Sequence, residues 1–156
     1  MHTVPAPSPA TDVLNRFHAG WTTRSPAETE AAGVALASLF PADHALALHG
    51  GLGAGKTTFV RGLARGWDLA GPILSPTFNY FFIYRGPRQL VHLDAYRLAR
   101  PADADSLLVD EFLQSPWCLA IEWPENLGDR LPRPAWHLDF HVPDETARIL
   151  TLRRVS

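Results

Sequence analysis

The residues best suited to chemistry form one glycine-rich run in the first half of the chain. Residues 50–57 read Gly-Gly-Leu-Gly-Ala-Gly-Lys-Thr, which satisfies the Gly-x-x-x-x-Gly-Lys-Ser/Thr pattern of a phosphate-binding loop, the Walker A motif. The chain contains 14 Lys and Arg residues, and Lys56 is the only lysine among them. A compact ammonium fits between a loop and two phosphates, whereas a planar guanidinium does not. The run therefore predicts a pocket for a nucleoside triphosphate.

The positions of this loop have distinct predicted roles. Its glycines let the backbone bend so that N–H groups point inward, and the positive end of a helix dipole adds to their attraction for phosphate oxygens. Lys56 is expected to reach the outer phosphates and to act in catalysis, and the Thr57 hydroxyl to ligate magnesium with help from Thr58. The predicted nucleotide-binding residues of the loop are Gly51, Leu52, Gly53, Ala54, Gly55, Lys56, Thr57 and Thr58.

Two acidic residues end apolar runs elsewhere in the chain. Asp94 closes the run at 90–94 and Glu122 closes the run at 119–122, and both runs are typical of buried strands. Because ligands of parallel sheets bind at the carboxyl ends of strands, both carboxylates are predicted catalytic and metal-binding residues. One would hold magnesium opposite Thr57 and the other would orient the attacking water. Their placement does not distinguish between the two roles.

Three further side chains lie close to these motifs. His92 and Asp94 are two residues apart on a strand and share a face, which suits a metal pair or a histidine that braces this acid. The brace is favoured because no third metal ligand is spaced nearby. Trp123 either stacks at the site or packs in the core. Thr77, in the Ser-Pro-Thr segment at 75–77, is either a catalytic residue that senses a γ-phosphate or part of an ordinary turn.

The elements that must position these residues alternate along the chain. A short apolar run at 45–48 precedes the loop, and apolar residues at helical spacing follow it from Phe59 to Trp67, with the helix expected to stop around Gly66 or Gly71-Pro72. Late strands are predicted at 136–140 and 149–152. Strands that alternate with helices indicate an α/β fold, namely a single P-loop NTPase-type domain with a mixed or mostly parallel sheet flanked by helices.

The remaining segments define the predicted domain boundaries. Residues 1–12 hold three prolines among small residues and are predicted to be a disordered arm, which leaves 13–156 as the P-loop domain. A helix is expected to begin after a cap at Ser25, with proline at its first position. Residues 103–113 predict an amphipathic helix whose inward side chains are Leu107, Leu108 and Phe112.

Composition restricts the class of protein. The chain has 156 residues, 46% of them hydrophobic and 19% charged, which is typical of one ordinary globular domain. A net charge of −2 provides no broad basic surface for nucleic acid. No apolar stretch suits a membrane span, and the first residues lack the pattern of a secretory signal, so the expected location is cytoplasmic. The single cysteine, Cys118, cannot form an internal disulfide.

Four motifs together resemble one family of P-loop proteins. They are Gly-x-Leu-Gly-Ala-Gly-Lys-Thr-Thr-Phe-x-Arg-Gly at 50–62, Ser-Pro-Thr-Phe at 75–78, His-x-Asp-x-Tyr-Arg-Leu at 92–98 and Ile-Glu-Trp-Pro-Glu at 121–125. These motifs and their order along the chain resemble those of the TsaE family, formerly called YjeE, which consists of small bacterial P-loop ATPases. The resemblance extends over about residues 25–152. It is far more specific than the phosphate-binding loop alone.

The resemblance implies a subunit of the machinery that makes threonylcarbamoyladenosine in tRNA. Members of the family bind a complex of the proteins TsaD and TsaB, and ATP binding and hydrolysis reset that complex between turnovers. Contact with tRNA is only indirect, no membrane is involved, and ATP and Mg²⁺ are the implied cofactors. The family usually has an acid at position 51, where this chain has Gly51.

The matching positions assign further roles by resemblance. Lys56, Thr57 and Thr58 match the phosphate and magnesium positions. Glu122 matches an acid assigned to magnesium, and Asp94 a second acid needed for activity. Residues matched to other parts of the nucleotide site are Arg148, which matches an arginine that contacts nucleotide, Pro26, which begins the base-side segment, and Trp123, which matches a tryptophan near the site.

Two other functions are compatible with the phosphate-binding loop. A small-molecule kinase would need an acceptor pocket and an arginine-rich lid, which Arg97 and Arg100 could supply, yet no acceptor signature is visible. A nucleotide-binding interaction module would bind without hydrolysis. The leading hypothesis is an ATPase that is slow alone, because no arginine finger can be assigned and completion of such a site by a partner is common.

Overall fold

The computed structural model describes residues 3–69, 71–72 and 80–155. Within these ranges the chain forms seven strands, three α-helices and three short 3₁₀ helices. The α-helices are α1 (Pro9–Ala19), α2 (Pro26–Ala37) and α3 (Lys56–Gly66). The strands are β1 (Trp21–Thr23), β2 (His44–His49), β3 (Phe81–Tyr84), β4 (Gln89–Asp94), β5 (Trp117–Glu122), β6 (Ala135–His141) and β7 (Arg148–Val155). The 3₁₀ helices span Pro101–Leu107, Val109–Phe112 and Pro124–Arg130.

The strands form one mixed sheet in the order β1-β7-β6-β2-β5-β4-β3. Its four central strands, β6, β2, β5 and β4, run parallel, whereas β1, β7 and β3 pair antiparallel with their neighbours. The parallel centre brings the carboxyl ends of β2, β4 and β5 to the same edge. The predicted α/β domain with a mixed sheet is confirmed, as are the strands expected around residues 45–48, 90–94, 119–122, 136–140 and 149–152.

The two faces of the sheet are covered differently. Alternate residues of β2 divide between two clusters of buried residues, with Leu46 and Leu48 in one and Ala45 in the other. The first cluster contains the buried side chains of the three α-helices, and the second is covered by residues of the 3₁₀ helices, including Leu127. Helix α3 therefore lies on the face toward which Leu46 and Leu48 point. The loop that precedes α3 leaves the sheet from the end of β2.

Helices α2 and α3 cross at very close range. A Cβ atom added to Gly62 would lie 2.0 Å from the Glu30 carbonyl oxygen, and one added to Gly33 would lie 2.3 Å from that of Phe59. Such distances leave no space for a side chain at either position, so the backbones themselves are in contact. The position of α3, and with it the start of the helix at Lys56, depends on this glycine contact.

The helix start at Ser25 is confirmed, with Pro26 at the first position and the Ser25 hydroxyl accepting the Glu28 N–H at 3.2 Å. Helix α1 differs from expectation. It begins at Pro9, with Ser8 as its cap, so the predicted boundary between a disordered arm at 1–12 and the domain falls inside a helix. The Thr11 N–H donates to the Ser8 hydroxyl at 3.2 Å, which is the usual contact between a helix cap and the residue three positions later.

The prediction of one amphipathic helix at 103–113 is wrong. The segment forms two 3₁₀ helices that meet at Leu108, where φ is +53°. A left-handed residue ends one helical hydrogen-bond ladder and shifts the direction of the next turn, so the apolar stripe does not continue. As a result Leu108 is 53% exposed and Phe112 is 43% exposed instead of pointing inward. Among the described residues, no helix is both long and apolar enough to cross a membrane.

Candidate functional site

The loop between β2 and α3 has the backbone of an anion-binding loop. Gly53 and Gly55 have φ values of +73° and +99°, a region that glycine adopts far more readily than other residues. Gly55 is the N-cap of α3, and no side chain caps the helix there. The first amide groups of a helix lack partners within the helix, and here they face the loop with the positive end of the dipole. This end of α3 is therefore suited to bind a phosphate group.

Lys56 holds a buried positive charge at the same place. It is 5% exposed, and its Nζ donates to the Gly50 carbonyl oxygen at 2.7 Å. The ammonium also lies 4.3 Å from the centre of the Trp123 ring, a cation–π contact. Burial lowers the pKa of Lys56, and the carboxylates of Glu122 and Asp94 oppose that shift. A buried ammonium held by one carbonyl and an aromatic ring is available to a phosphate that reaches the loop.

The two predicted acids are neighbours. Asp94 and Glu122 are directly paired in register at the ends of β4 and β5. The Glu122 Oε2 atom lies 3.5 Å from the Thr57 hydroxyl, whereas Asp94 accepts the Tyr96 N–H at 2.9 Å. Burial is the main cause that raises the pKa of Asp94, with a further contribution from Glu122. The two carboxylates therefore differ in their contacts, and Glu122 is the one beside Thr57.

These oxygen atoms fit a magnesium ion. Mg²⁺ is commonly held by one or two carboxylates together with substrate phosphates and water, and not by a full cage of protein ligands. Thr57 and Glu122 would supply a hydroxyl and a carboxylate, with Asp94 adjacent. Within the described residues, no group of three His, Cys, Asp or Glu side chains is arranged to hold a metal. The hydroxyl of Thr57 and the carboxylate of Glu122 suit a metal whose remaining ligands are phosphate oxygens and water.

A cavity of about 380 Å³ joins these groups. It is lined by loop residues 52–58 and by Asp94, Tyr96, Glu122 and Trp123. A second cavity of about 340 Å³ lies on the other side of the loop and shares Gly53, Gly55 and Thr58 with the first. The shared residues make the loop the common wall of both cavities. An elongated ligand that crosses this wall would contact both.

The second cavity contains the two remaining predicted nucleotide contacts. Pro26, at the start of α2, and Arg148, at the start of β7, both line it. The Arg148 guanidinium donates to the Gly53 carbonyl oxygen at 3.2 Å, which ties β7 to the loop. Arg24 and Thr146 line the same cavity and were not predicted from the sequence. They lie in segments without a recognisable motif, so the sequence carried no signal for them.

The structure separates the predicted residues into three groups. Most of them line one or both cavities. Gly51 lines neither, is exposed, and has no atom within 4 Å of the place where its Cβ would lie. Thr77 and its Ser-Pro-Thr segment lie outside the described residues. Trp123 lines the first cavity and contacts both the Lys56 ammonium and the ring of Tyr96, 5.0 Å away, and it also packs against the second buried cluster, so the two alternatives do not exclude each other.

His92 braces a different acid from the one expected. The sequence favoured a contact with Asp94, two residues away on the same strand. In the structure the His92 Nε2 atom bonds instead to Glu122 Oε2 at 2.9 Å. His92 is paired with Ala120, so Glu122 is its diagonal neighbour across the two strands, at a separation of about 7–8 Å that long side chains can bridge. The sequence could not supply this contact because it depends on the β4–β5 register.

A stacked pair of histidines at the base of the loop was also missed. His49 is the last residue of β2, and its Nε2 lies 2.8 Å from the His137 Nδ1 of β6, with the rings 21° from parallel. Burial lowers the pKa of both imidazoles; Asp139 and, for His49, Glu125 oppose the shift, whereas Arg153 and, for His49, Lys56 add to it. Only one nitrogen of such a contact can donate, so the contact requires at least one unprotonated ring nitrogen.

This pair predicts a loss of stability in mild acid. Because the folded-state pKa values lie below the usual value of about 6.5, the folded protein binds fewer protons than the unfolded chain. The contribution of the two histidines to the free energy of unfolding is complete above about pH 6.5, and it decreases as the pH falls through their folded-state pKa values. Loss of one hydrogen bond, about 1 kcal/mol, corresponds to roughly 2–4 °C in the unfolding midpoint. Thermal unfolding from pH 7.5 to pH 5 measures this change.

Two glutamine variants isolate the contribution of the pair. His137→Gln is expected to flatten the pH dependence because one titrating ring is removed. His141→Gln replaces an exposed histidine on the same strand and is expected to keep the wild-type slope. Equal slopes for the His137→Gln variant and the wild-type protein would contradict the assignment.

Known proteins match both the sequence and the fold. Residues 23–150 match the family model of the threonylcarbamoyl adenosine biosynthesis protein TsaE. The chain is 33% identical over 129 residues to the tRNA threonylcarbamoyladenosine biosynthesis protein TsaE of Treponema pallidum, which covers 83% of this chain and 96% of that protein. It is 34% identical over 137 residues to the protein of the same name from Bacillus subtilis, which covers 87% and 85%.

A solved structure agrees with these matches. The crystal structure of Bacillus subtilis YdiB is similar with a TM-score of 0.74 and 28% sequence identity, covering 88% of this chain and 85% of that chain. The phosphate-binding loop, the paired acids and the match over most of the chain agree with one another. The chain therefore belongs to the TsaE family of proteins for threonylcarbamoyladenosine biosynthesis in tRNA.

Proposed function

We propose that this protein is a magnesium-dependent ATPase whose cycle of ATP binding and hydrolysis resets a partner complex in tRNA threonylcarbamoyladenosine biosynthesis. One observation carries the proposal. A buried ammonium, a hydroxyl and two carboxylates surround a single cavity at the uncapped N-terminus of α3. The residues are Lys56, Thr57, Asp94 and Glu122. This set has the charge and the donors that a triphosphate and its metal require.

The proposed binding mode uses both cavities. The triphosphate would lie along the loop, with its oxygens on the first amides of α3 and on the Lys56 ammonium. The nucleoside would extend past Gly53 toward Pro26 and Arg148 in the second cavity. The volumes of about 380 and 340 Å³ are within the range of small-molecule sites.

The proposed division of labour between the acids follows from their contacts. Glu122 lies beside the Thr57 hydroxyl, so these two residues would hold Mg²⁺. A bound Mg²⁺ would neutralise charge on the phosphate oxygens. Asp94 is held by the Tyr96 N–H, and its raised pKa favours acceptance of a proton from water. The water oxygen would bond to the γ-phosphorus while the bond from that phosphorus to the bridging oxygen breaks. The products are ADP and inorganic phosphate.

A partner is proposed to complete this site. Among the described residues that line the first cavity, Lys56 is the only cation. Phosphoryl transfer commonly uses a further arginine, often supplied by a partner, which is worth about 10³–10⁵ in rate. Hydrolysis by the isolated chain should therefore be slow. The TsaD–TsaB complex is the proposed partner, with tRNA involved only through that complex.

Phosphate release from ATP tests the proposed function. We expect slow release by the isolated protein and faster release with the TsaD–TsaB complex. Glu122→Gln, which keeps the shape but removes the charge, should lower the stimulated rate by at least about 10- to 100-fold, the usual effect of changing groups that support a metal site. Glu111→Gln changes an exposed acid on a 3₁₀ helix and serves as the matched control with a wild-type rate.

Other outcomes would point to the alternative functions. Release that stays at background with the partner present would indicate a binding module without hydrolysis. Transfer of the γ-phosphate of labelled ATP to a compound in a metabolite panel would indicate a kinase. Either result contradicts the proposed ATPase.

A further inference from the structure

His92 is a buried polar residue that the proposed reaction does not use. It lies on β4, the second strand from the β3 edge of the sheet, with its side chain 0% exposed. In register it pairs with Ala120 on β5, whose neighbour two positions along is Glu122. Its Nε2 atom lies 2.9 Å from Glu122 Oε2. A histidine placed here contacts the carboxylate from the side opposite the solvent.

Glu122 needs such a partner because it is buried. Its side chain is 8% exposed, and a buried carboxylate is costly unless hydrogen bonds satisfy its oxygens. Thr57 lies 3.5 Å from the same Oε2 atom, at the limit of a hydrogen bond. The contact to His92 is much shorter. In the part of the chain that the structure describes, His92 is therefore the principal donor to this carboxylate.

The other ring nitrogen of His92 helps to distinguish a histidine that supports Glu122 from one that only packs in the core. The Nδ1 atom is buried and has no hydrogen-bond partner among residues 3–69, 71–72 and 80–155. Buried polar atoms are nearly always hydrogen-bonded, so a histidine retained only for packing would be expected to satisfy both nitrogens. Here the one hydrogen bond that the ring makes goes to Glu122. The contact fixes the tautomer, because the nitrogen that faces a carboxylate must carry the hydrogen.

We propose that His92 is a positioning residue that holds the Glu122 carboxylate beside the Thr57 hydroxyl and thereby sets the affinity of the site for Mg²⁺. The inference rests on the proposed function, since it assumes that Glu122 and Thr57 bind the metal. Partners that orient a metal ligand typically affect metal affinity by about 10- to 100-fold. His92 itself touches neither nucleotide nor metal in this scheme.

Two substitutions of similar polarity test the proposal. His92→Gln places an amide N–H near the position of Nε2, whereas His92→Asn is one carbon shorter and cannot reach Glu122 from the same backbone. Calorimetry then measures the affinity for ADP in EDTA and in a series of Mg²⁺ concentrations. We expect both variants to bind ADP in EDTA within about twofold of wild type. His92→Gln should keep the Mg²⁺ dependence, and His92→Asn should need about 10- to 100-fold more Mg²⁺.

Different failures have different meanings. Wild-type Mg²⁺ dependence in His92→Asn would overturn the role of His92. Equal loss of metal-free ADP affinity in both variants would also overturn it, because a purely structural defect has that result. A wild-type protein whose ADP affinity does not respond to Mg²⁺ would instead contradict the proposed function.

A measurement on the wild-type protein decides the question if His92→Asn does not fold. The ¹⁵N shifts of histidine rings distinguish a protonated nitrogen from a bare one, and the His92→Gln spectrum assigns the His92 signals. We expect hydrogen on Nε2, a bare Nδ1, and a change in the Nε2–H signal when Mg²⁺ and ADP are added. Hydrogen on Nδ1 with a bare Nε2 would overturn the proposal.

Discussion

Replacing Lys56 by alanine is expected to weaken ATP and ADP binding by roughly 10- to 150-fold, because hydrogen bonds to a charged group contribute about 1.5–3 kcal/mol. Among the described residues the ammonium donates one hydrogen bond, to the Gly50 carbonyl oxygen, and lies over the Trp123 ring, which leaves it further N–H groups for a phosphate. Calorimetry with Mg·ATP and Mg·ADP measures the loss. Phosphate release stimulated by the partner should fall with it.

Two companion variants separate charge from packing. Lys56→Met keeps most of the stem and removes the charge together with the hydrogen-bond donors, so it should bind as poorly as the alanine variant. Arg65→Ala removes a 67% exposed cation from the last turn of the same helix, where it pairs with Glu30 at 2.9 Å. This control should bind nucleotide like the wild-type protein. Wild-type affinity in the Lys56→Ala protein would rule out the assigned site.

Gly62→Ala is expected to destabilise the fold by roughly 2–4 kcal/mol, at or above the usual cost of overpacking. The added Cβ would lie 2.0 Å from the Glu30 carbonyl oxygen and 2.9 Å from the Gly33 Cα atom, so α2 and α3 must move apart. The higher helix propensity of alanine over glycine offsets only about 1 kcal/mol of this destabilisation. The thermal midpoint should fall by roughly 5–15 °C for a domain of this size.

Gly51→Ala provides the matched control for this substitution. It adds the same methyl group to an exposed glycine that has no atom within 4 Å of the new Cβ. We expect its stability to stay within about 0.5 kcal/mol of wild type. A Gly62→Ala protein that unfolds at the wild-type midpoint would show that the close crossing of α2 and α3 is not needed. Because α3 begins at Lys56, the destabilised variant should also bind nucleotide more weakly when folded.

The open surroundings of Gly51 also bear on the position at which this chain differs from the family pattern. The family usually has an acid at position 51, and the open space around Gly51 would accommodate one without a change in the fold. Gly51 also lies outside both cavities described at the loop. The substitution therefore changes the charge of an exposed position and not the shape of the site.

Local sequence patterns predicted the elements well where local physics dominates. Ser25 followed by Pro26 is sufficient to start a helix, because capping and a fixed proline φ act within one turn. The apolar runs that became β2, β4 and β5 needed only continuous hydrophobicity to be recognised. Leu108 shows the limit of such patterns. Its left-handed backbone interrupts the helix predicted for 103–113, and no residue type in that segment signals it.

The sequence by itself determined the phosphate-binding loop, the two acids and the family, because residue type and spacing along one chain carry that information. Only the tertiary structure decided which groups meet. The β4–β5 register set Asp94 beside Glu122 and directed His92 to Glu122, and the crossing of α2 with α3 fixed the position of Lys56. Contacts between distant segments depend on sheet register and helix packing. Both follow from the whole fold, and a local motif contains neither.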